Sequence, residues 1–251
     1  WGGIVLSGRA PVTDCIAPGA TPGSVSCERQ VEGAVDPALF GGNNAADNSG
    51  TMRYVQIRYS GFVLSGASEL QSLTTGGTGT GTQLSHIQSV NSSDDGVEFF
   101  GGFVNIKNLI VAGAEDDGLD TDTGVKANMQ YVLVAQRTGA GDTIIEADSS
   151  NGLEDQTPRS NVQLSNATFI HRNAGDQAIR IRGGHDYTIV NSLLIDNSGV
   201  AAGVPCLRID DDETIRAANA GLDDVGPPMF ASFALQCADD ARNGSNGGAT
   251  E

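Results

Sequence analysis

Hydrophobic residues in this chain alternate with polar ones in short runs, and the runs recur. Tyr54-Val55-Gln56-Ile57-Arg58-Tyr59 puts Val55 and Ile57 on one face, the period of a half-buried strand. The same alternation returns as Ile87/Ser89, Leu109/Val111, Val132/Val134, Ala167/Phe169 and Ser192/Leu194. After each comes a shorter strand, opening on the inward residues Val97, Leu119, Ile145, Ile179 and Leu207. These openings are spaced by 22 residues, then by 26, 34 and 28 as the turns lengthen. Constant strands with variable turns predict an all-β solenoid, in which a rung buries its apolar face only by stacking on its neighbours. Gly2 to Leu6 reads as a further strand, and only Thr214 to Gly221 suggests a turn of helix.

An acidic motif rides on this repeat. Ser93-Asp94-Asp95-Gly96-Val97-Glu98 recurs as Glu115-Asp116-Asp117-Gly118-Leu119-Asp120, displaced by 22 residues. Stacked rungs place equivalent side chains about 4.8 Å apart, so the two motifs become one ladder. Registering the short strands gives two outward columns. One is Glu98, Asp120, Glu146, Arg180, Arg208; the other is Phe100, Asp122, Asp148, Arg182, Asp210. The preceding turns add Asp94/Asp95, Asp116/Asp117, Asp142 and Asp176.

The interrupted parts are also legible. Residues 7–50 form a Pro/Gly/Asn-rich loop excursion that holds the cysteines Cys15 and Cys27. Gly76 to Thr82 is a glycine-threonine turn, lacking the lysine of a phosphate-binding loop. Asn91, Asn166, Asn173, Asn191 and Asn197 fall near strand ends or turns, where Asn tolerates left-handed backbone. One domain is expected over residues 1–237, followed by a polar tail over 238–251.

Charge narrows the partners. Asp and Glu number 31 against 14 Lys and Arg, a formal net charge of −17. That argues against nucleic acid and anionic membrane surfaces, and there is no apolar run long enough to span a bilayer. Three disulfide connectivities are open to four cysteines; the one that closes the shortest loops pairs Cys15 with Cys27 and Cys206 with Cys237. Disulfides imply an oxidising compartment, hence the periplasm, the cell surface or the medium. With three histidines and no C-x-x-C, a zinc site is disfavoured. The chain opens on Trp1-Gly2-Gly3-Ile4-Val5-Leu6, a strand already under way, as expected of a processed chain or a fragment.

Four segments carry a resemblance: Trp1 to Leu6, Gly50-Thr51-Met52-Arg53-Tyr54-Val55, the Gly76 to Thr82 run, and Asp94-Asp95-Gly96-Val97-Glu98-Phe99-Phe100-Gly101-Gly102. Over roughly residues 1–210 the chain resembles a bacterial family of exported, often lipoprotein-like, right-handed parallel β-helix proteins. The resemblance implies that fold and export, and little about activity. In that family the Trp-Gly-Gly segment usually follows further strands, which implies that an N-terminal rung is missing here.

Candidate chemistry centres on the ladder. Stacked like charges repel, so they call for a cation, an arginine partner or retained protons. Asp94, Asp95, Asp116, Asp117, Asp120 and Asp122 are the candidate Ca²⁺ ligands, since Ca²⁺ takes six to eight oxygens. The competing reading makes Asp-Asp-Gly a turn, with Asp in Asx-turns and Gly in left-handed geometry. As an enzyme, the chain would be a polysaccharide lyase or glycoside hydrolase using Asp120, Glu146 and Arg180. Neighbouring-rung carboxylates sit near the separation that glycosidases use. Arg182, Arg208 and His185 are further candidates for neutralising a uronate or accepting its proton. As a binding protein, the chain would be a surface scaffold holding Ca²⁺ or glycan on its acidic face, with Phe99 inward and Trp1, Phe100, Phe103 and Tyr187 as the few aromatics for sugar stacking. A third class is an assembly subunit that self-associates through its end rungs or docks another surface protein. His86 and His171 are expected to face solvent.

Overall fold

The computed structural model describes the chain except for residues 35, 66–67, 150–151, 174, 176, 200–203 and 251 and the side chains of 63–68. Asp176, grouped above with the turn carboxylates, lies outside the described residues.

The strands are β1 (Ile4–Ser7), β2 (Arg29–Gln30), β3 (Leu39–Phe40), β4 (Thr51–Arg58), β5 (Phe62–Ser65), β6 (Ser68–Leu70), β7 (Leu73–Gly76), β8 (Gln83–Val90), β9 (Val97–Phe100) and β10 (Phe103–Ala112). They continue as β11 (Leu119–Asp122), β12 (Lys126–Ala135), β13 (Ile145–Ala147), β14 (Asn161–His171), β15 (Ile179–Ile181), β16 (Asp186–Asp196), β17 (Leu207–Ile209), β18 (Met229–Gln236) and β19 (Ala241–Arg242). Short strands form one parallel sheet in the order β1-β7-β9-β11-β13-β15-β17-β19, and long strands form another in the order β18-β16-β14-β12-β10-β8-β4. The chain crosses from one sheet to the other on each coil, building a right-handed parallel β-helix.

The inward columns follow from the alternation. Ile87, Leu109, Val132 and Ala167 are in register and buried, as are Ser89, Val111, Val134, Phe169 and Leu194. Val97, Leu119, Ile145 and Ile179 line the opposite wall, fully buried. Leu73 on β7 begins that wall, a strand hidden from periodicity because Leu73-Thr74-Thr75-Gly76 is buried on both faces.

Each long strand is bent once. Tyr54, His86, Asn108, Tyr131, Asn166, Asn191 and Ser232 all have φ between 49° and 60°. The flanking pairs put these seven in one register column. A left-handed residue with a Cβ costs about 1–2 kcal/mol; here it turns the strand and gives the solenoid a third wall. Asn166 and Asn191 therefore sit within strands rather than at their ends.

The excursion lies against the solenoid. Its β2–β3 hairpin and the Cys15–Cys27 disulfide enclose a second small core of Val12, Cys27, Val31, Phe40 and Phe100. Phe40 packs 6.0 Å from Phe100, an outward residue of β9. The Cys206–Cys237 disulfide ties the last two rungs. Beyond it, β19 pairs with β17, so Ala241–Arg242 within the polar tail extend the short-strand sheet. The expected helical turn divides into a one-turn helix, Asp212–Ile215, and a 3₁₀ turn, Ala220–Leu222.

Two expected surface residues are interior. His171 is buried, with Nδ1 3.0 Å from Asp196 Oδ1, because it continues the inward face of Ala167 and Phe169 on β14. Tyr187 is buried beside His185 and is not available for sugar stacking.

Candidate functional site

The short-strand sheet sets Glu98, Asp120, Glu146, Arg180 and Arg208 in consecutive register. Phe100 pairs with Asp122 in the next outward column. Charge thus changes sign along the solenoid axis. At the basic end the carboxylates are neutralised. Glu146 Oε1 lies 3.1 Å from Arg182 and 3.6 Å from Arg180, Asp148 lies 3.1 Å from Arg182, and Asp210 is shared by Arg180 (2.9 Å) and Arg208 (2.8 Å). At the acidic end, Asp94, Asp95, Glu98, Asp116, Asp117 and Asp120 have no ion pair among the described residues.

The Asp-Asp-Gly motifs divide their labour. The second Asp reaches the next rung: Asp95 Oδ1 accepts from the backbone N–H of Asp117 at 2.9 Å, and Asp117 Oδ1 accepts from Thr143 N–H at 2.6 Å and its hydroxyl at 2.7 Å. The glycines are not left-handed, contrary to the turn reading. A Cβ on Gly118 would meet Val134 Cγ1 at 2.5 Å and Ile144 O at 2.7 Å, and one on Gly96 would meet Gly118 O at 2.7 Å. Glycine is needed because the rungs approach too closely for a side chain. The first Asp of each motif, Asp94 or Asp116, is left to face its equivalent one rung away.

Carboxylate oxygens converge within 4.8 Å in three groups: Asp94/Asp95/Asp116, Asp95/Glu98/Asp120 and Asp116/Asp117/Asp142. Of the expected ligands, Asp122 stands outside these groups, and Glu98 and Asp142 enter them. Glu98 was legible as a column member but not as a ligand; its signal is its position three residues after Asp95. The excursion covers it. Glu98 is only 6% exposed, beside a cavity of about 450 Å³ lined by Arg29, Glu32, Phe100 and Asp122. The outward column is therefore enclosed at this rung, not open to solvent as the alternation implied. Glu98 Oε2 and Asp120 Oδ1 are buried and accept no hydrogen bond from the described residues.

Burial and mutual repulsion hold these groups protonated above their usual range. Asp94 is pushed up to about 7 by burial and by Asp116, and Asp122 to about 7 by burial and by Asp148. Asp95, Glu98, Asp117 and Asp120 are raised for the same reasons, burial first and neighbouring carboxylates second. Asp148 is raised by burial only to about 6, because Arg182 opposes the shift.

His185 belongs to the interior. It is fully buried, its Nε2 is 3.0 Å from Thr121 Oγ1, and burial lowers its pKa to about 3. A neutral, enclosed imidazole cannot receive a proton from a surface substrate, which removes His185 from the candidate bases.

A family model described as a pectate-lyase-like β-helix domain matches residues 1–241. No curated protein and no solved structure matches the chain significantly.

Proposed function

Because the chain belongs to the pectate-lyase-like β-helix domain family, we propose that its acidic ladder holds a divalent cation, Ca²⁺, and with it binds an acidic extracellular glycan. The observation that carries this reading is the Asp95/Glu98/Asp120 group, whose oxygens lie within 4.8 Å while Glu98 Oε2 is buried without a partner. Burial first and mutual repulsion second raise all three carboxylates, and a cation there would relieve the repulsion. Asp94 and Asp116 stand one turn away to complete an all-oxygen shell, the donor chemistry Ca²⁺ selects. Arg180 and Arg182, together on the second rung beyond Asp120, would meet the carboxylates of a uronate chain. Two disulfides, together with the resemblance, support export; among the described residues no helix is long and apolar enough to cross a membrane.

The second reading, a polysaccharide lyase or hydrolase, is favoured by one contrast. Burial and neighbouring carboxylates raise Asp120 above its usual range, whereas its neighbour Glu146 faces two arginines. A buried carboxyl raised by its surroundings, beside a carboxylate that arginines pair, suits an acid and a nucleophile or base. Calorimetric titration with Ca²⁺, then with polygalacturonate, tests the binding reading. Release of unsaturated or reducing ends from the same polymer tests the catalytic one. Absence of Ca²⁺ binding in wild type, at neutral pH after chelation, overturns the proposal.

A further inference from the structure

A second surface, remote from the acidic ladder, lies along the bend of the long-strand sheet. The bend column opens into a groove of about 750 Å³. Among the described residues no Asp, Glu, Lys or Arg lines it, in a chain with a net charge of −17. Tyr54 is 79% exposed and Tyr131 54% exposed. His86 stacks on Tyr54 with ring centroids 4.4 Å apart, and Asn108 Nδ2 lies 3.2 Å from His86 Nε2. Asn166, the next member of the column, closes the row.

The backbone points to a use for these rings. The bend needs a left-handed residue at each rung, and Asn or Gly meets that need at least strain. The chain follows this preference at Asn108, Asn166 and Asn191, yet puts Tyr, His and Tyr at 54, 86 and 131, all at positive φ. Bulky residues are disfavoured there, and these three rings project into solvent, where they add nothing to the core. Strain that packing does not repay collects at functional positions.

We propose that this bend is a binding groove for a neutral, straight polysaccharide chain of the β-1,4-linked pyranose type. The electronegative faces of Tyr54 and Tyr131 pack against the C–H faces of sugar rings. Asn108, Asn166 and the flanking glutamines meet the hydroxyls. The two tyrosines are three rungs apart, about 14 Å along the axis, so one ligand must extend over several sugars to touch both. The column keeps one register from rung to rung, which suits an extended chain rather than a curled glucan. The uncharged lining gives no advantage to a uronate. This site does not depend on the cation reading of the ladder.

The test uses the full chain, native affinity gels containing hydroxyethyl cellulose, and calorimetry with cellohexaose and cellobiose. Tyr54→Ala and Tyr131→Ala are compared with wild type and with Asp120→Asn, and melting curves verify the fold of each. Retardation by hydroxyethyl cellulose is expected, as is binding of cellohexaose at least tenfold tighter than cellobiose. Each tyrosine variant should weaken it at least tenfold, and Asp120→Asn should leave it unchanged. The proposal is overturned if wild type binds neither probe, if the tyrosine double variant binds as well as wild type, or if amylose binds equally. It is also overturned if light scattering shows a dimer that Tyr131→Ala dissociates, since the groove would then seat a second copy of the chain.

Discussion

Asp95 and Asp117, equivalent residues of consecutive rungs, are joined by a hydrogen bond: the Asp95 carboxylate accepts the backbone N–H of Asp117 at 2.9 Å. Asp117 repeats the contact to Thr143 on the rung after. The motif is thus both a staple between rungs and, through its neighbours, the wall of an acidic cavity.

The staple should be separable from the charge. Asp95→Ala leaves a buried N–H without an acceptor and is expected to lower stability by about 1–3 kcal/mol. Asp120→Asn removes an uncompensated charge and should raise the melting temperature in EDTA at pH 8, while reducing the gain on adding Ca²⁺. Thermal unfolding of both variants, with chelator and with millimolar Ca²⁺, checks the pair; equal destabilisation by both would mean that the ladder carries no repulsion.

Without cation, stability should fall as pH rises. Asp94 and Asp122 titrate at about 7 and Asp148 at about 6 in the folded protein, against 3.8 ordinarily. Between about pH 4 and 7 the folded state therefore binds more protons than the unfolded one, and each step up in pH favours unfolding. Melting in EDTA is expected to be lower at pH 8 than at pH 5, and Ca²⁺ should narrow the difference by binding only the folded state. A flat or rising profile would contradict this.

Gly118→Ala tests the close approach of the rungs. The new methyl would meet the Ile144 carbonyl at 2.7 Å, and backbone cannot yield cheaply. A loss of about 1–3 kcal/mol, typical of overpacking, is expected from urea unfolding. Gly139→Ala, where a Cβ has open space but φ is 76°, should show only the smaller backbone cost.

Arg159 is nearly inaccessible, with Nε donating to Asp186 at 2.8 Å and Nη2 to the Glu213 carbonyl at 2.6 Å. Arg159→Met strands the Asp186 charge and should cost about 3–5 kcal/mol. Adding Asp186→Asn should recover part of it, measurable as a coupling energy in a double-mutant cycle.

How much of this was legible depended on range. Ile87, Leu109 and Val132 could be assigned to one inward column from alternation alone, because a strand exposes opposite faces at successive residues whatever surrounds it. Register along Glu98, Asp120, Glu146 and Arg180 was equally readable, since the repeat aligns them. The Cys15–Cys27 and Cys206–Cys237 pairs followed from closing the shortest loops. Leu73 was missed because its strand is buried on both sides and shows no alternation. His171 shares the inward face of Ala167 and Phe169, and was misplaced because its polar side chain was set against that period.

The repeat, the inward columns and the acidic ladder can be read along the chain, because all depend on the local two-residue period and on self-similarity between rungs. Packing across the fold sets the rest: Glu98 is enclosed, Glu146 has arginine partners while Asp120 has none among the described residues, and a bend carries Tyr54, His86 and Tyr131 into one groove. Each of these rests on contacts between residues distant along the chain, such as Phe40 on Phe100, and the burial and electric field at a carboxylate are properties of everything packed around it rather than of its neighbours in sequence.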